Sequence, residues 1–257
     1  MFERIRCMPT MKVLIIGDAC EDVYIYGASK RLAPEAPVPV FIKTYERRNG
    51  GMALNVYKNL LSLGVECNII HNKENIEKIR FVHEQTNHIF IRVDSDERGI
   101  KPVDKKYLTK KFLNQYDAVV ISDYNKGFLS TDDIEKICYF HPLTFLDTKK
   151  KLGRWAKGCK WIKINEVEYE NAKKDIENHM YIFQSSLIVT LGSKGCRYKN
   201  QLYAVKEVEI KDLSGAGDTF LAGFVSKYLE TKDVDQSLVF ANECASIVVQ
   251  KKGVGIV

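Results

Sequence analysis

The sequence lacks the features typical of membrane, secreted and small metal-binding proteins. No apolar run reaches the eighteen or so residues of a membrane span, and residues 1–10 contain no apolar signal-peptide core. No two cysteines form a Cys-x-x-Cys pair, which argues against a zinc site or a disulfide framework. We therefore expect a cytoplasmic protein with small buried cysteines, at positions 7, 20, 67, 138, 159, 196 and 244.

Several common functional motifs are also absent. The chain has neither a G-x-x-x-x-G-K-[ST] loop nor a G-x-G-x-x-G fingerprint. His83-Glu84 and His88 miss the spacing of a zinc protease, because the second histidine is five positions after the first instead of four. The net charge of +6 is compatible with small anionic substrates, but no basic stripe is interleaved with aromatic residues, so we expect no nucleic-acid partner.

What the sequence does contain is an alternation of short apolar runs and amphipathic segments. We predict strands at 12–17, 118–122, 143–147, 161–164 and 187–190, and helices at 51–63, 105–116, 131–139, 216–230 and 234–250. This order predicts one α/β domain over residues 11–257, with a mostly parallel sheet covered by helices on both faces. Residues 23–47 and 79–94 are rich in β-formers and predict a small projecting sheet, with a hairpin turn at 85–87.

Polar residues follow several of the predicted strands. Because ligands bind at the carboxyl ends of parallel strands, we expect a site where these residues meet. They are Asp18, Asp123, Asp147, Asn165 and Thr190.

The glycine-rich segment 212–220, with the sequence DLSGAGDTF, precedes a predicted helix. Gly215 and Gly217 allow the backbone to approach a phosphate closely, and the helix would direct N–H groups toward it. Asp218 at the helix start could accept a proton from a substrate hydroxyl. The alternative is that Asp218 only stabilises the helix dipole.

Four motifs in this order resemble the PfkB, or ribokinase-like, carbohydrate kinases. They are Gly17-Asp18 with Asp22, Asn49-Gly50-Gly51 with Asn55, Asn165 with Glu168, and 212–219. Segments 31–40, 122–127 and 252–253 are most similar to the branch that phosphorylates D-glycero-β-D-manno-heptose 7-phosphate, the kinase half of bifunctional proteins of ADP-heptose synthesis for lipopolysaccharide. The similarity runs from about residue 12 to 257.

The resemblance implies a ribokinase-like three-layer α/β/α fold in which the small β-sheet is a lid. It further implies an ATP- and Mg²⁺-dependent kinase that phosphorylates the anomeric hydroxyl to give the 1,7-bisphosphate. Asp218 would be the general base, and the backbone of Gly215, Ala216 and Gly217 would form an anion hole. The implied sugar-site residues are Asp18, Asp22, Gly50, Gly51, Asn55, Asp123 and Lys126.

The resemblance also implies a nucleotide site and a phosphate site. Glu168 would act on magnesium through water, although Asn165 and Glu168 also fit ordinary helix capping. The implied nucleotide residues are Asn165, Glu168, Thr190, Gly192, Gly195 and Asn242. A second, non-reacting phosphate would be held by Arg31, Arg80 and Arg92, with Lys78 as a further candidate. Scattered basic residues also fit a solvated face, and for Lys78 this alternative is as well supported as a phosphate contact.

The chain departs from the family between residues 64 and 78, where members carry a strand, an acidic loop, a helix and another strand, whereas this chain has only residues 65–70 and a polar stretch at 71–76. The shortening could open the sugar pocket, change the substrate, or leave a sheet edge for a second subunit to cover. The resemblance to the family also implies a homodimer joined through the lid. Two alternatives therefore stay open: a PfkB kinase for another sugar or sugar phosphate, and a catalytically weak regulatory relative.

Overall fold

The computed structural model describes residues 11–251 and 253–257, so the predicted roles of Cys7 and Lys252 lie outside the described residues. The strands are β1 Lys12–Gly17, β2 Ala19–Leu32, β3 Pro39–Met52, β4 Glu66–His71, β5 Glu77–His83, β6 Ile89–Asp94, β7 Ala118–Asp123, β8 Thr144–Thr148, β9 Trp161–Asn165, β10 Leu187–Thr190, β11 Cys196–Tyr198 and β12 Gln201–Tyr203. The α-helices are α1 Ala53–Ser62, α2 Lys110–Leu113, α3 Thr131–Phe140, α4 Glu166–Asn178, α5 Met180–Phe183, α6 Ala216–Thr231 and α7 Val234–Val249.

Eight strands form one large sheet in the order β12-β11-β10-β9-β8-β7-β1-β4. The six strands from β10 to β4 in this order run parallel, and β11 and β12 continue the sheet as an antiparallel ribbon. The central strands are buried on both faces, because helices cover each side, and they therefore carry apolar runs instead of an alternating pattern.

Helices α1, α6 and α7 pack on one face of the large sheet, and α3 and α4 pack on the other. On the first face Phe145 and Trp161 meet Phe224 of α6 edge-to-face, with ring centroids 5.9 and 5.4 Å apart. The predicted three-layer arrangement with a mostly parallel sheet is therefore confirmed.

The other four strands form a second, smaller sheet in the order β3-β2-β5-β6. Only Asp18 separates β1 from β2, so the chain leaves the large sheet and enters the small one at this residue. One face of the small sheet buries Tyr24, Tyr26 and Val82 against Val254 of the C-terminal segment. The opposite face exposes apolar side chains, with Ile91 55% accessible, and also carries a charged cluster in which Arg48 pairs with Glu21, Glu46 and Glu77.

The connection from β4 to β5 is five residues long and is fixed by Asn72. The Asn72 carboxamide accepts from the backbone N–H of Ala19 at 2.7 Å and donates to the carbonyls of Ala19 and Glu74 at 3.2 and 3.0 Å. This buried side chain thus supplies the hydrogen bonds that another strand would make. Within the described ranges, β4 is the end of the large sheet.

The prediction of one helix over residues 105–116 was wrong. The structure has a 3₁₀ turn at Lys105–Tyr107, followed by the four-residue α2. Thr109 is extended and its Oγ1 accepts from the N–H of Phe112, so it caps α2 and interrupts a continuous helix. Tyr107 and Phe112 nevertheless pack together, at 5.2 Å between centroids, which explains the amphipathic pattern.

Candidate active site

The site centres on the N-terminus of α6, which a tight glycine turn presents to the carboxyl ends of the strands. Gly215 has φ +80°, a left-handed conformation that favours glycine. A Cβ at Gly215 would lie 2.5 Å from Asn55 Nδ2, and a Cβ at Gly217 would lie 2.9 Å from Lys163 Nζ. The left-handed backbone therefore favours glycine at position 215, and the close approach of a neighbouring side chain favours glycine at both positions.

Asp218 lies in the first turn of α6 and is only 3% exposed. Its Oδ1 accepts from the Tyr124 hydroxyl at 2.7 Å, and its Oδ2 accepts from Asn55 Nδ2 at 3.1 Å. Burial, together with the charge of Asp147, raises the pKa of Asp218 to about 6, although the bonds from Tyr124 and Asn55 favour the charged form. A carboxylate with this pKa can accept a proton near neutral pH.

Three polar residues form a row across β7, β8 and β9 beneath this turn. Ser122 is paired with Asp147, and Asp147 with Lys163, on the same sheet face as the apolar residues that contact α6. Lys163 is 4% exposed, and its Nζ donates to Asp147 Oδ2 at 2.6 Å. The buried Ser122 Oγ, Asp147 Oδ1 and Thr219 Oγ1 have no hydrogen-bond partner among the described residues.

Sequence reasoning missed Lys163 and Tyr124. Lys163 gave a detectable signal, because lysine is rare inside a buried parallel strand unless it is paired. Tyr124 gave none beyond its place in segment 122–127, since its bond to Asp218 joins residues that are 94 positions apart.

Asp18 follows β1 and is buried next to Asp123. Its carboxylate accepts from the backbone N–H groups of Tyr124, Lys126 and Phe128, at 2.7, 3.3 and 3.4 Å. Burial and the nearby Asp123 raise the pKa of Asp18. In this structure Asp18 therefore fixes the loop after β7.

Asp123 and Lys126, both expected at the sugar site, are bound to other side chains. The Asp123 carboxylate pairs with Lys150 and accepts from the Thr148 hydroxyl, on the opposite face of the sheet from Asp147. Lys126 forms an ion pair with Glu97. The structure therefore engages both side chains away from the carboxylate of Asp218.

The structure brings Asp22, Gly51 and Arg80 together. Arg80 donates to Asp22 Oδ1 at 2.6 Å and lies over the ring of Tyr24, 4.9 Å from its centroid. A Cβ at Gly51 would lie 2.2 Å from Asp22 Oδ2, which explains the glycine. At Gly50 a Cβ would meet Leu54 Cβ at 2.7 Å, so this glycine packs against α1.

Arg80 belongs to a basic row across the small sheet. Tyr24 is paired with both Arg47 and Arg80, and Arg80 with Arg92, so the three arginines share the face that carries Asp22. Arg92 also forms a bidentate pair with Asp94, at 2.7 and 2.8 Å. Arg31 is nine residues from Asp22 along β2, roughly 30 Å, so the structure does not bring it into this row.

Asn165 and Glu168 form a capping box at the start of α4. The Asn165 side chain accepts from the N–H of Glu168, and Glu168 Oε2 accepts from the N–H of Asn165, both at 2.8 Å. Glu168 Oε1 is bound by Lys149 and, at 2.9 Å, by Asn165 Nδ2. Because both carboxylate oxygens are engaged, this residue fits a water-mediated role toward a metal and does not fit direct ligation.

Thr190, Gly192 and Gly195 lie together at the end of β10 and just after it. Gly192 and Gly195 have φ +59° and +92° and bound the 3₁₀ turn Gly192–Lys194. A Cβ at Gly192 would meet no atom of the described residues within 4 Å, which leaves space for a ligand. Asn242 of α7 is buried and donates to the Tyr203 carbonyl at 2.8 Å, so it holds β12 to the helix in this structure.

A comparison with protein-family profiles identifies the family to which the chain belongs. The profile of the pfkB family of carbohydrate kinases matches residues 79–257. The chain belongs to the pfkB family.

No helix of the described ranges is long and apolar enough to cross a bilayer.

Relatives of this pfkB-family chain include the bifunctional protein HldE. HldE from Helicobacter acinonychis (strain Sheeba) is 30% identical over 293 aligned residues, which cover 94% of this chain and 63% of that protein. HldE from a Nitratiruptor species is 28% identical, with 94% and 62% covered. The chain thus spans somewhat under two thirds of the length of these relatives. The alignment also exceeds the 257 residues of the chain, so the relatives carry residues that it lacks.

Solved structures show the same fold at low identity. Ribokinase from Thermotoga maritima aligns with a TM-score of 0.72 at 14% identity, covering 95% of this chain and 94% of that one. Ribokinase from Arabidopsis thaliana, complexed with ribose and ATP, aligns with a TM-score of 0.67 at 15% identity and the same coverage. These similarities show that the fold is ribokinase-like.

Proposed function

We propose that this protein is an ATP-dependent kinase that phosphorylates the anomeric hydroxyl of D-glycero-β-D-manno-heptose 7-phosphate. The observation that carries the proposal is Asp218, a buried carboxylate with a pKa of about 6, held at a glycine-rich helix N-terminus. Family membership and the similarity to HldE support the substrate class.

In this proposal Asp218 accepts the proton of the sugar hydroxyl as that oxygen attacks the terminal phosphate of ATP. The bonds from Tyr124 and Asn55 fix the carboxylate plane, so the base needs no reorientation during the reaction. The backbone N–H groups at Gly215, Ala216 and Gly217 would stabilise negative charge at the helix N-terminus, where in this structure the N–H of Ala216 donates to the Leu213 carbonyl at 3.3 Å.

Lys163 adds a positive charge to this anion hole. Its ammonium lies against Gly217, and Asp147 holds it in place. Positive charge that is positioned in advance stabilises a phosphoryl group during transfer without reorganisation. Mg²⁺, when bound with ATP, would neutralise phosphate charge, with Glu168 acting on it through water.

The basic row of the small sheet is proposed to bind the phosphate that does not react. Arg92 and Arg47 are exposed on the face that carries Asp22, and guanidinium groups match phosphate geometry. Arg80 contributes through Asp22, which it orients. The small sheet would then act as a lid that excludes water from the sugar.

The first experiment measures ADP release with Mg-ATP and the heptose 7-phosphate. Fructose 6-phosphate and unphosphorylated heptose serve as comparisons, and Asp218→Asn serves as the negative control. Turnover confined to the heptose phosphate supports the full proposal. Turnover with another sugar alone refutes the proposed substrate but supports the kinase activity. No turnover with any sugar refutes the kinase activity itself.

The shortened connection between β4 and β5 favours a second candidate, a pfkB kinase for a different sugar phosphate. The direct link through Asn72 replaces the segment that family members are expected to carry beside the sugar site. The wall of the sugar pocket would therefore differ from that of other family members, and a smaller or larger sugar would fit it. Comparing kcat/KM across phosphorylated pentoses, hexoses and heptoses distinguishes the two candidates.

We also propose a homodimer joined through the small sheet. Its outer face exposes Ile91 and Val93, and Phe41 packs between Phe81 and Phe90 on the same face, at 5.4 and 5.5 Å. An exposed apolar sheet face of this kind is typical of an interface. A second copy would cover it with an identical apolar surface.

A further inference from the structure

We propose that Tyr124 is a positioning residue, whose hydroxyl holds the Asp218 carboxylate in the orientation that accepts the sugar proton. This inference rests on the kinase function proposed above. Tyr124 follows directly after β7, and its side chain reaches Asp218 on α6. It therefore joins the end of the sheet to the helix that carries the base.

The contact of Tyr124 with Asp218 is direct and well formed. The hydroxyl lies 2.7 Å from Asp218 Oδ1, while Asn55 binds the other oxygen. Two donors on two different oxygens prevent rotation of the carboxylate. Each oxygen can accept a second hydrogen bond, so a sugar hydroxyl can still approach.

Tyr124 is itself held from three sides. Its backbone N–H donates to Asp18 Oδ2 at 2.7 Å, and the left-handed Asn125, with φ +58°, turns the chain immediately after it. The ammonium groups of Lys78 and Lys149 lie 5.6 and 5.2 Å from the centroid of its ring. The predicted sugar ligand Asp18 and the base Asp218 are thereby linked through one residue.

In the Tyr124–Asp218 pair, the tyrosine hydroxyl always acts as the hydrogen-bond donor. Burial, together with the charges of Asp218 and Asp147, raises the pKa of Tyr124 well above its usual range, so the hydroxyl keeps its proton. Its bond therefore stabilises the charged form of Asp218. Other ionisable groups that face Asp218 come from β2, β8, β9 and the segment just after β8, and are Cys20, Asp147, Lys163 and Lys149.

The test compares wild type with Tyr124→Phe, which removes only the hydroxyl. The kcat/KM profile is measured from pH 5 to 9, and the Asp218 carboxyl is titrated by ¹³C NMR, with Asp218→Asn identifying its signal. We expect the acid limb and the Asp218 pKa to rise by about one pH unit, because a hydrogen bond to a charged group is lost. The matched control is Tyr198→Phe, whose hydroxyl bonds the Ser185 carbonyl at 3.1 Å, and which should leave both unchanged.

Each outcome decides the proposal. A rise in both quantities supports it, and a lower plateau with the acid limb unmoved refutes it, since that would be a purely structural effect. If wild type phosphorylates no sugar, the proposed function fails separately, and the carboxyl titration alone decides the role of Tyr124. An Asp218 pKa that is equal in wild type and Tyr124→Phe overturns the inference.

Discussion

At the residue scale, the site is defined by buried carboxylates, some of which are paired with lysines. Among the described residues Asp218 has hydrogen-bond donors on both oxygens but no ion pair, whereas Asp147 has Lys163 and Asp123 has Lys150. Because burial penalises the charged form most where no cation compensates, the pKa is raised at Asp218, the proposed base, and also at Asp18.

Replacing Asp218 by asparagine should lower turnover about 100- to 10,000-fold, because the general base is lost. ATP binding, measured by calorimetry, should stay within about threefold of wild type, since the proposed anion hole consists of backbone N–H groups and Lys163 and does not include the Asp218 side chain. Asp132→Asn, on the exposed start of α3, is the matched control. Near-normal turnover of Asp218→Asn would refute the mechanism.

The wild-type kcat/KM should rise with pH through about 6 and then level off. The direction follows from the pKa of Asp218, which is raised to about 6, and from the need for its deprotonated form in the reaction. A stopped assay in buffers of constant ionic strength measures the profile. A limb near the ordinary carboxyl pKa of about 4 would contradict the buried environment.

Lys163 allows structural and catalytic roles to be separated. Lys163→Met should lower the free energy of unfolding by about 3–5 kcal/mol, because Asp147 becomes an unpaired buried charge. Lys163→Met with Asp147→Leu should recover most of that loss. Urea unfolding measures both, and Lys173→Met, from the exposed Lys173–Glu170 pair, should change stability by less than about 1 kcal/mol.

Turnover should not recover in the same Lys163 and Asp147 double variant. Loss of a positive charge at the anion hole should lower kcat about 100-fold or more. Normal turnover in a stable double variant would show that Lys163 has only a structural role.

At the scale of elements, the short connection between β4 and β5 depends on one side chain. Asn72→Ala should destabilise the protein by about 2 kcal/mol, since the buried N–H of Ala19 loses its acceptor. Chemical unfolding measures the change, with Asn178→Ala at the exposed end of α4 as the control. An unchanged midpoint would mean that the connection is held by Ile76 and its apolar neighbours.

The small sheet carries the proposed phosphate site. Combining Arg47→Gln with Arg92→Gln should raise KM for the heptose 7-phosphate about tenfold, because the guanidinium contacts are lost. The unphosphorylated sugar should show no change in KM. Arg98→Gln, whose side chain is 92% exposed, is the control. An equal effect on both sugars would show that the small sheet does not bind the phosphate.

At the scale of the whole molecule, the outer face of the small sheet is the surface that a second copy would cover in the proposed dimer. Ile91→Glu should dissociate the dimer by placing a charge in an apolar interface, and sedimentation should then give the mass of one chain. Leu202→Glu on β12, 56% exposed and outside the small sheet, should leave the mass unchanged. A wild-type monomer would refute the dimer directly.

The sequence alone determined the local features of this protein. Short apolar runs that alternate with amphipathic segments predicted the layered α/β fold, because burial on both faces of a parallel sheet imposes continuous apolar runs on its strands. The glycine turn predicted the start of α6, since glycine is favoured by the left-handed backbone at Gly215 and fits against Lys163 at Gly217. These properties depend mostly on neighbouring residues and can be recognised within a short segment.

The tertiary structure decided which distant residues meet. It placed Tyr124 on Asp218 and Arg80 on Asp22, and left Arg31 far along β2. It also paired Asp147 with Lys163, whose strands are adjacent in the sheet and whose side chains share one face. Such contacts depend on strand order and register, which are set by packing over the whole chain, so no local pattern contains them.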